Sequence, residues 1–302
     1  MLVDIGSCQP NEGASVRESV SDEGQLVVVA TPLGNLGDIS KRALELLATA
    51  DLVYCEDTRR SSTLFSANGI AVNGRLRALH EHNEASMCDE IVEHVESRRL
   101  IVMISDAGTP GISDPGARVV TAVARAGLKV STAPGPSAVI AALSISGLNT
   151  DRFVMEGFVP RKAGERSLLY DQWERETRTI VFYESPQRLA TTLREIALRF
   201  AQRGVAVARE ITKLHEEVIR GSASQVADLI ANREVVGEIV VVLEGCVETL
   251  LVDPEVIRSA LAAQFTSGAS VRDAVDAVEA SLCVAHREVY RLALEVKNGD
   301  VT

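Results

Sequence analysis

The chain has 302 residues, of which 46% are hydrophobic, so it is long enough for two domains with their own cores and too apolar to be disordered. No apolar run reaches the roughly 20 residues of a membrane span, and residues 1–25 lack the apolar segment of a signal peptide, so we expect neither a membrane anchor nor an export signal. The net charge of −11 excludes a uniformly basic protein, so any contact with RNA phosphates requires a local cluster of Lys and Arg.

Metal-binding and disulfide patterns are weak in this sequence. The five cysteines are odd in number and scattered, with no CxxC pair, which is typical of a protein in a reducing cytoplasm and argues against a zinc site. His80 and His82 lie two positions apart, but no third ligand is evident in the neighbouring sequence. We therefore predict no metal site.

The first predicted strand, residues 26–30, follows a polar segment, residues 1–25, that we expect to be a flexible leader. This strand runs into a glycine-rich loop at residues 31–40, in which Asp38 or Ser40 could cap the following helix. The loop contains neither the GxGxxG pattern nor the P-loop pattern. A dinucleotide site and a P-loop are therefore poorly supported.

A charged cluster follows the second predicted strand, residues 52–55. Its sequence is Glu56-Asp57-Thr58-Arg59-Arg60, and it leaves the strand toward the same sheet edge as the glycine-rich loop. The cluster is either part of a site at that edge or a solvated turn in which Asp57 pairs with Arg59. The residues themselves leave both interpretations open.

Two more glycine-bearing loops leave predicted strands in the middle of the chain. The strand at 100–104 ends in SDAGTPGISDPG at residues 105–116, and the strand at 129–133 ends in PGPSA at residues 134–138. The apolar, β-branched run at 100–104 is typical of a buried parallel strand, and the carboxyl ends of such strands form the edge where open α/β sheets bind ligands. We therefore predict a ligand site at this edge, with Asp106 and Ser137 as polar groups; ordinary strand-to-helix connections are the alternative.

The second half of the chain continues the α/β pattern after a linker at residues 147–151. A loop at residues 159–166 carries Arg161 and Lys162 and is either a phosphate contact or solvated surface. Residues 253–298 are predicted to form three short helices that resemble a helix-turn-helix, with basic residues on the last one; a packing appendage or a dimer contact is the alternative. The predicted strands are residues 153–158, 179–183, 205–208 and 238–244, and the last three helices are residues 254–265, 271–280 and 286–296.

Several of these motifs carry a family resemblance. SDAGTP at 105–110 and PGPSA at 134–138 resemble the two methyl-donor loops of the tetrapyrrole-methylase superfamily. The loop at 31–40, the acid-Thr-Arg motif at 56–60 and His82-Asn83-Glu84 match the same family in order, and residues 209–217 are similar to its ribosomal RNA branch, which methylates a cytidine ribose 2′-hydroxyl in 16S rRNA. The match runs from about residue 26 to residue 245. It departs from the family at Gln187, where a histidine is usual.

The resemblance implies a two-domain α/β fold of the tetrapyrrole-methylase type, with domains at residues 26–146 and 151–246, a methyl-donor cleft between them and a small helical appendage at 253–298. It also implies S-adenosylmethionine as the donor, 16S rRNA in the small ribosomal subunit as the partner, a cytoplasmic location and a homodimer. Two alternatives stay open. One is a tetrapyrrole methylase, against which residues 209–213 and the terminal helices argue. The other is a non-catalytic RNA-binding protein with a vestigial donor site, against which the intact donor loops argue.

The same match suggests candidate residues for three roles. The donor-binding candidates are Pro32, Asp106, Gly108, Thr109, Pro110, Pro134, Gly135, Ser137, Ala138 and Glu184. The substrate-binding candidates are Asn35, Thr58, His82, Asn83, Arg161 and Lys162. The catalytic candidates, which would accept the hydroxyl proton or assist its loss, are Glu210, Lys213, Asp57 and Arg59. The alternative for Glu210 and Lys213 is a structural ion pair that touches no substrate.

Overall fold

A computed structural model describes residues 23–246, 253–282, 284 and 286–298. Most of the leader predicted at residues 1–25 lies outside the described residues, and Gln25 already belongs to the first strand. The chain divides into two compact units, residues 1–245 and residues 246–302. No helix in the described part of the chain is long and apolar enough to span a membrane.

The first sheet has five strands, and every neighbouring pair is parallel, as the apolar runs predict. Its order is β3-β2-β4-β1-β5, so the strand at the start of the chain lies between the two strands that precede the donor loops. Alternate residues of these strands pack into two separate cores, because helices cover both faces of the sheet. The strands are β1 (Gln25–Val29), β2 (Leu52–Cys55), β3 (Leu76–Ala78), β4 (Leu100–Met103) and β5 (Lys129–Ala133).

Side-chain caps fix the starts of the first two helices in this half. The Ser40 side chain accepts a hydrogen bond of 3.1 Å from the backbone N–H of Ala43, so Ser40 rather than Asp38 caps the first helix. Asp57 caps the second helix in the same way, by accepting from the backbone N–H of Arg59 at 2.8 Å. The helices are α1 (Lys41–Thr49), α2 (Thr58–Ala67), α3 (Glu84–Glu96), α4 (Ala117–Arg125) and α5 (Ala138–Ser146).

The second sheet is mixed. Its order is β6-β7-β10-β8-β9; β6 is parallel to β7, and the other pairs are antiparallel. One face packs on its own helices. The other face packs on α5 through Val139, Ala142 and Leu143, which brings the carboxyl edge of the first sheet against the second sheet. The elements are β6 (Phe153–Phe158), α6 (Ala163–Trp173), β7 (Thr179–Glu184), α7 (Pro186–Phe200), β8 (Gly204–Arg209), β9 (Glu217–Ser222), α8 (Ala223–Ala231) and β10 (Ile239–Leu243).

The described residues of the C-terminal unit form three helices, as predicted: α9 (Pro254–Thr266), α10 (Val271–Leu282) and α11 (His286–Asn298). It has a core of its own, which includes the fully buried Leu261, Val275 and Leu292. A core that closes within the unit is consistent with independent folding.

A buried carboxylate holds the start of α4, and its removal is expected to cost stability. Oε1 of Glu84 accepts from the backbone N–H groups of Gly116 at 2.9 Å and Arg118 at 2.8 Å. Glu84→Ala would leave both donors without this acceptor, so we expect the free energy of unfolding to fall by about 1–3 kcal/mol. Urea unfolding measures this change. Glu81→Ala, at an exposed position three residues earlier, is the control and should unfold like the wild type.

Candidate active site

Four polar segments meet at one edge of the first sheet. They follow β2, β4, β1 and β5, which are adjacent strands, and because these strands are parallel their carboxyl ends lie side by side. The edge faces the second sheet across a cavity of about 390 Å³. Residues from both sheets line this cavity, among them Asp106, Ser137, Tyr183 and Ile239.

The three glycine-rich loops are joined to one another by hydrogen bonds. Thr31 and Gly108 exchange backbone hydrogen bonds of 2.8 and 3.0 Å, which ties the opening loop to the loop after β4. The Thr109 hydroxyl donates to the carbonyl of Pro136 at 3.0 Å and so ties that loop to the one after β5. Gly108 has a φ of +80°, a conformation that L side chains rarely adopt, and a Cβ there would lie 3.2 Å from Leu33 Cδ2.

Six of the ten donor-binding candidates line the cavity: Asp106, Gly108, Thr109, Ser137, Ala138 and Glu184. Pro32, Pro110, Pro134 and Gly135 belong to the same loops but are not among the lining residues. At Gly135 a Cβ would lie 3.1 Å from the Cβ of Ala30, so a glycine lets this loop pack closely on the end of β1. Five of the six lining candidates therefore lie on the two loops that the sequence singled out, and the sixth, Glu184, is the last residue of β7.

Asp106 connects the donor loop to the charged cluster after β2. Its Oδ1 accepts from the backbone N–H of Asp57 at 3.1 Å, and its Oδ2 lies 3.1 Å from Arg60 NH1. Asp57 and Arg59 themselves form a pair at 3.2 Å, which is the solvated-turn geometry foreseen for them. The hydrogen bonds from the Arg59 side chain and backbone lower the pKa of Asp57, which makes its carboxylate a weak base.

Glu210 and Lys213 are in contact at the rim of the cavity. Lys213 Nζ lies 2.9 Å from Glu210 and 3.1 Å from Glu238, and Glu238 lines the cavity. The backbone N–H of Glu238, followed by Lys213, lowers the pKa of Glu210. Burial opposes the charge of Lys213, but its hydrogen bonds to the two glutamates outweigh burial and raise the pKa of Lys213. Lys213 is therefore a cation at neutral pH, and the geometry disfavours it as a neutral base.

The substrate-binding candidates do not line the cavity, and several have structural partners. Asn35 accepts from the backbone N–H of Gly37 at 3.0 Å. Asn83 accepts from the backbone N–H of His80 at 2.8 Å and donates to Ala78. The remaining positions are Thr58 at the first turn of α2, the exposed His82 and Arg161, and Lys162, which pairs with Glu165 at 2.9 Å.

The cavity lining also includes residues that the sequence analysis did not select, among them Glu56, Asp114, Phe158 and Tyr183. Burial, then the charges of Glu56 and Asp106, raise the pKa of Asp114 to about 6, while a hydrogen bond from Ser105 acts in the opposite direction. Burial also raises the pKa of Glu56. Phe158 is 60% exposed, with its ring centroid 5.4 Å from that of Tyr183.

A separate group lies in the C-terminal unit, where possible metal-ligand atoms of Asp276, Glu279 and His286 come within 4.8 Å of one another. All three side chains are exposed or half-exposed, and His286 already pairs with Glu279 at 2.7 Å. An exposed group of this kind is common without an ion.

Comparisons with known proteins first define the class. A family model described as Tetrapyrrole (Corrin/Porphyrin) Methylases matches residues 25–227. The crystal structure of a diphthine synthase aligns with a TM-score of 0.55, covering 73% of this chain and 89% of that chain, at 16% identity. The chain therefore has the fold of a tetrapyrrole methylase, as the resemblance implies.

Proteins similar in sequence show to which branch of the tetrapyrrole methylases the chain belongs. Ribosomal RNA small subunit methyltransferase I of Mycobacterium tuberculosis (strain CDC 1551 / Oshkosh) is 41% identical over 278 residues, 90% of this chain and 95% of that protein. The protein of the same name from Thermotoga maritima is 42% identical over 222 residues, 74% of this chain and 99% of that protein. The chain belongs to the ribosomal RNA small subunit methyltransferase I family, a branch of the tetrapyrrole methylases.

Proposed function

We propose that the protein transfers a methyl group from S-adenosylmethionine to the ribose 2′-hydroxyl of a cytidine in 16S rRNA. The observation that carries the proposal is the cavity, where the two donor loops of the first sheet face the second sheet. Family membership supports the reaction class, and the names of the relatives support the substrate class. We also propose that the protein works in the cytoplasm as a homodimer, with the small ribosomal subunit as its partner.

The residues around the cavity fit this donor. The cavity volume of about 390 Å³ lies within the roughly 300–1,000 Å³ of small-molecule sites. The donor carries positive charges on its sulfonium and ammonium groups, and Glu56 and Asp106 offer negative charge. Helix α5 begins at the cavity, and the Ser137 side chain makes no capping hydrogen bond there, so first-turn N–H groups are available to the donor carboxylate.

When bound, the donor supplies an electrophilic methyl group. The protein's task is to align the acceptor hydroxyl with that methyl group and to manage the hydroxyl proton. We propose that Lys213, held by Glu210 and Glu238, fixes one wall of the cavity as a cation. We propose that the pair formed by Asp57 and Arg59 supports the opposite wall, and that the substrate-binding candidates contact RNA outside the cavity.

The acceptor side offers an aromatic platform. Phe158 projects from the end of β6 beside Tyr183, and both rings line the cavity. Sequence-specific RNA recognition commonly stacks an unpaired base on an exposed aromatic ring. A cytosine stacked on Phe158 would lie in the same cavity as the donor loops. An exposed aromatic residue at the cavity therefore supports a single-stranded RNA acceptor.

A methylation assay tests the proposed function. Purified protein is incubated with S-adenosylmethionine and small ribosomal subunits or free 16S rRNA, and the digested nucleosides are analysed by mass spectrometry. We expect 2′-O-methylcytidine at a single position. An RNA fragment with 2′-deoxycytidine at that position is the control and should not react. A methyl group found only on a base, or no transfer at all, would contradict the proposal.

The C-terminal unit is proposed to contact RNA and to contribute nothing to donor binding. Of its basic residues, Arg258 and Arg291 pair with Glu295 at 3.2 and 2.6 Å, which reduces the positive charge they can offer. A chain ending at residue 246 should therefore keep its donor affinity and lose no more than about tenfold in RNA affinity, with a shallower salt dependence. RNA binding at two salt concentrations measures this. About three quarters of this chain matches 99% of the length of the Thermotoga maritima relative. This match supports the expectation that a shorter chain can fold.

A further inference from the structure

Five acidic side chains line the cavity, and four of them are already engaged by an N–H group or a cation. Asp106 accepts from the backbone N–H of Asp57 and pairs with Arg60. Glu56 accepts from the backbone N–H of Asp106 and feels the positive charge of Arg60. The five acidic residues are Glu56, Asp106, Asp114, Glu184 and Glu238.

Glu184 and Glu238 are engaged in the same way. The two carboxylate oxygens of Glu184 accept from the backbone N–H of Ser185 and from the Thr192 hydroxyl, each at 2.7 Å. The Glu238 carboxylate lies 3.1 Å from Lys213 Nζ. Either group would have to give up a local partner before it could accept a proton from a substrate.

Asp114 is the exception. No ion pair within the described part of the chain involves Asp114, and its hydrogen bond comes from the Ser105 hydroxyl. Its other neighbours are the carboxylates of Glu56 and Asp106 and the phenol of Tyr183. Its pKa of about 6, raised by burial and by these acids, suits a group that takes up a proton near neutral pH.

The turn that carries Asp114 is held in a fixed position. The backbone N–H of Gly111 donates to the carbonyl of Pro115 at 3.1 Å, and that of Gly116 donates to Glu84 at 2.9 Å. Ser113 has a φ of +61°, a conformation that non-glycine residues adopt at some cost and that is enriched at functional sites. The carboxylate is thus presented to the cavity by a braced loop, as alignment with a reacting hydroxyl requires.

We propose that Asp114 accepts the proton of the acceptor hydroxyl during methyl transfer, an inference that rests on the proposed function. The hydroxyl proton moves to a carboxylate oxygen of Asp114. The hydroxyl oxygen forms the new bond to the methyl carbon, and the bond between methyl and sulfur breaks with its electron pair left on sulfur. The turn that carries Asp114 lies against β6, the strand that carries Phe158, because a Cβ on Gly157 of this strand would be 3.8 Å from Ser113 Oγ.

The test is single-turnover methylation by Asp114→Asn, with donor and RNA both saturating. We expect the rate to fall about 100-fold or more, within the range for loss of a general base. The affinities for adenosylhomocysteine and for RNA should not change, since neither depends on removing the proton. Asp114→Glu, which keeps a carboxylate, should recover part of the rate. Asp151→Asn, at an exposed position outside the cavity, is the matched control.

A pH profile provides a second readout. The wild-type rate should fall tenfold per pH unit below about 6, as Asp114 becomes protonated, and should level off above that pH. The charged and titratable groups that face Asp114 are Glu56, Asp106, Tyr183 and, through Asp106, Arg60. Glu56→Gln removes one neighbouring negative charge and should shift the acid limb to lower pH. Asp114→Asn should lack this limb.

Thermal unfolding gives a readout that is independent of activity. The pKa of Asp114 is raised in the folded state from an ordinary 3.8, so its stabilising contribution is complete below pH 3.8 and is lost as the pH rises through about 6. Asp114→Asn should therefore raise the melting temperature at pH 8 and leave it unchanged at pH 3.5. A gain in stability that accompanies a loss of rate is the pattern of a residue kept for function.

Three results would overturn the assignment. One is a wild-type rate and an unchanged acid limb in Asp114→Asn, which would leave the proposed function standing. Another is a loss of adenosylhomocysteine affinity that accounts for the loss of rate, which would make Asp114 a donor-binding residue. The third is a wild-type protein that transfers no methyl group to RNA, which would remove the proposed function and this inference together.

Discussion

Replacing Ala138 by tryptophan is expected to abolish donor binding without unfolding the protein. Ala138 is the first residue of α5 and lines the cavity beside the donor loop after β4. An indole at this position would occupy space that the donor requires. We expect the affinity for adenosylhomocysteine to fall roughly 100-fold or more, which corresponds to about 2.7 kcal/mol. Isothermal titration calorimetry measures the affinity.

The chain offers a matched control on the same helix. Ile140 is 52% exposed, so Ile140→Trp introduces the same side chain two residues later on a solvent-facing position and should bind the donor like the wild type. Asp106→Ala removes the acceptor for the Asp57 N–H and the partner of Arg60, and we expect a loss of about tenfold. Undiminished binding in both Ala138→Trp and Asp106→Ala would rule out this cavity as the donor site.

The sheet edge that carries the site could be predicted because its signals are local. Residues 100–104 form a continuous apolar run that ends at Ser105, and the structure places β4 there. The glycine and proline residues that follow can be neither helix nor central strand, so they predict loops at the carboxyl edge. The adjacency of β4, β1 and β5 then brings the three glycine-rich loops together. The order of the strands in the sheet is not encoded in any single loop.

The elements that the sequence analysis missed have weak local signals. Helix α2 buries only Ser61 and Phe65, so its amphipathic pattern is faint. Asp57, which caps this helix, stands among charged residues and therefore also fits a solvated turn. Strand β3 has three residues, two of them exposed, and lacks the alternation that identifies a strand. Strand β3 pairs with β2, and Phe65 of α2 packs into a core shared by several strands and helices, and a local pattern reports neither contact.

The missed residues of the cavity depend on contacts between distant parts of the chain. Asp114 lies in a Ser-Asp-Pro-Gly turn, where an aspartate is ordinary turn chemistry, and its raised pKa comes from burial first and then from the charges of Glu56, which follows β2, and of Asp106 on its own loop. Phe158 is one apolar residue among several in β6. It faces the cavity because the second sheet packs on α5 through a shared core. A sequence pattern could identify both positions only after the packing of the two sheets is known.

Lys213→Ala is expected to slow methyl transfer by roughly tenfold to 100-fold while leaving donor affinity unchanged. The Glu210 and Glu238 carboxylates both lie within 3.1 Å of Lys213 Nζ, and without this cation two negative charges would repel each other at the cavity wall. Lys213 also packs on the opening loop, since a Cβ on Gly34 would lie 2.3 Å from Lys213 Cγ. Loss of the side chain would therefore loosen the alignment of the acceptor, which contributes to the rate.

The backbone near Lys213 supports this expectation. Glu210 and Thr212 have φ values of +51° and +68°, and such conformations persist only where surrounding contacts hold them. Because the pKa of Lys213 is raised, its charge and the stability it contributes are present at neutral pH and are lost only as the pH rises through this raised pKa in alkaline solution. The effect of the substitution should accordingly be the same at pH 6.5 and at pH 8.5.

Single-turnover methylation with donor and RNA both saturating measures the loss of rate in Lys213→Ala. Lys41→Ala is the control, because Lys41 is an exposed lysine with only a 3.9 Å contact to Glu45. Glu210→Gln should give a smaller loss than Lys213→Ala, since it keeps an acceptor for the Glu238 N–H and removes one charge of the pair. Asp57→Asn tests the opposite wall. If all three variants turn over at the wild-type rate, neither ion pair aligns the acceptor or assists its proton, and both steps would have to depend on the donor loops, Asp114 and the aromatic platform.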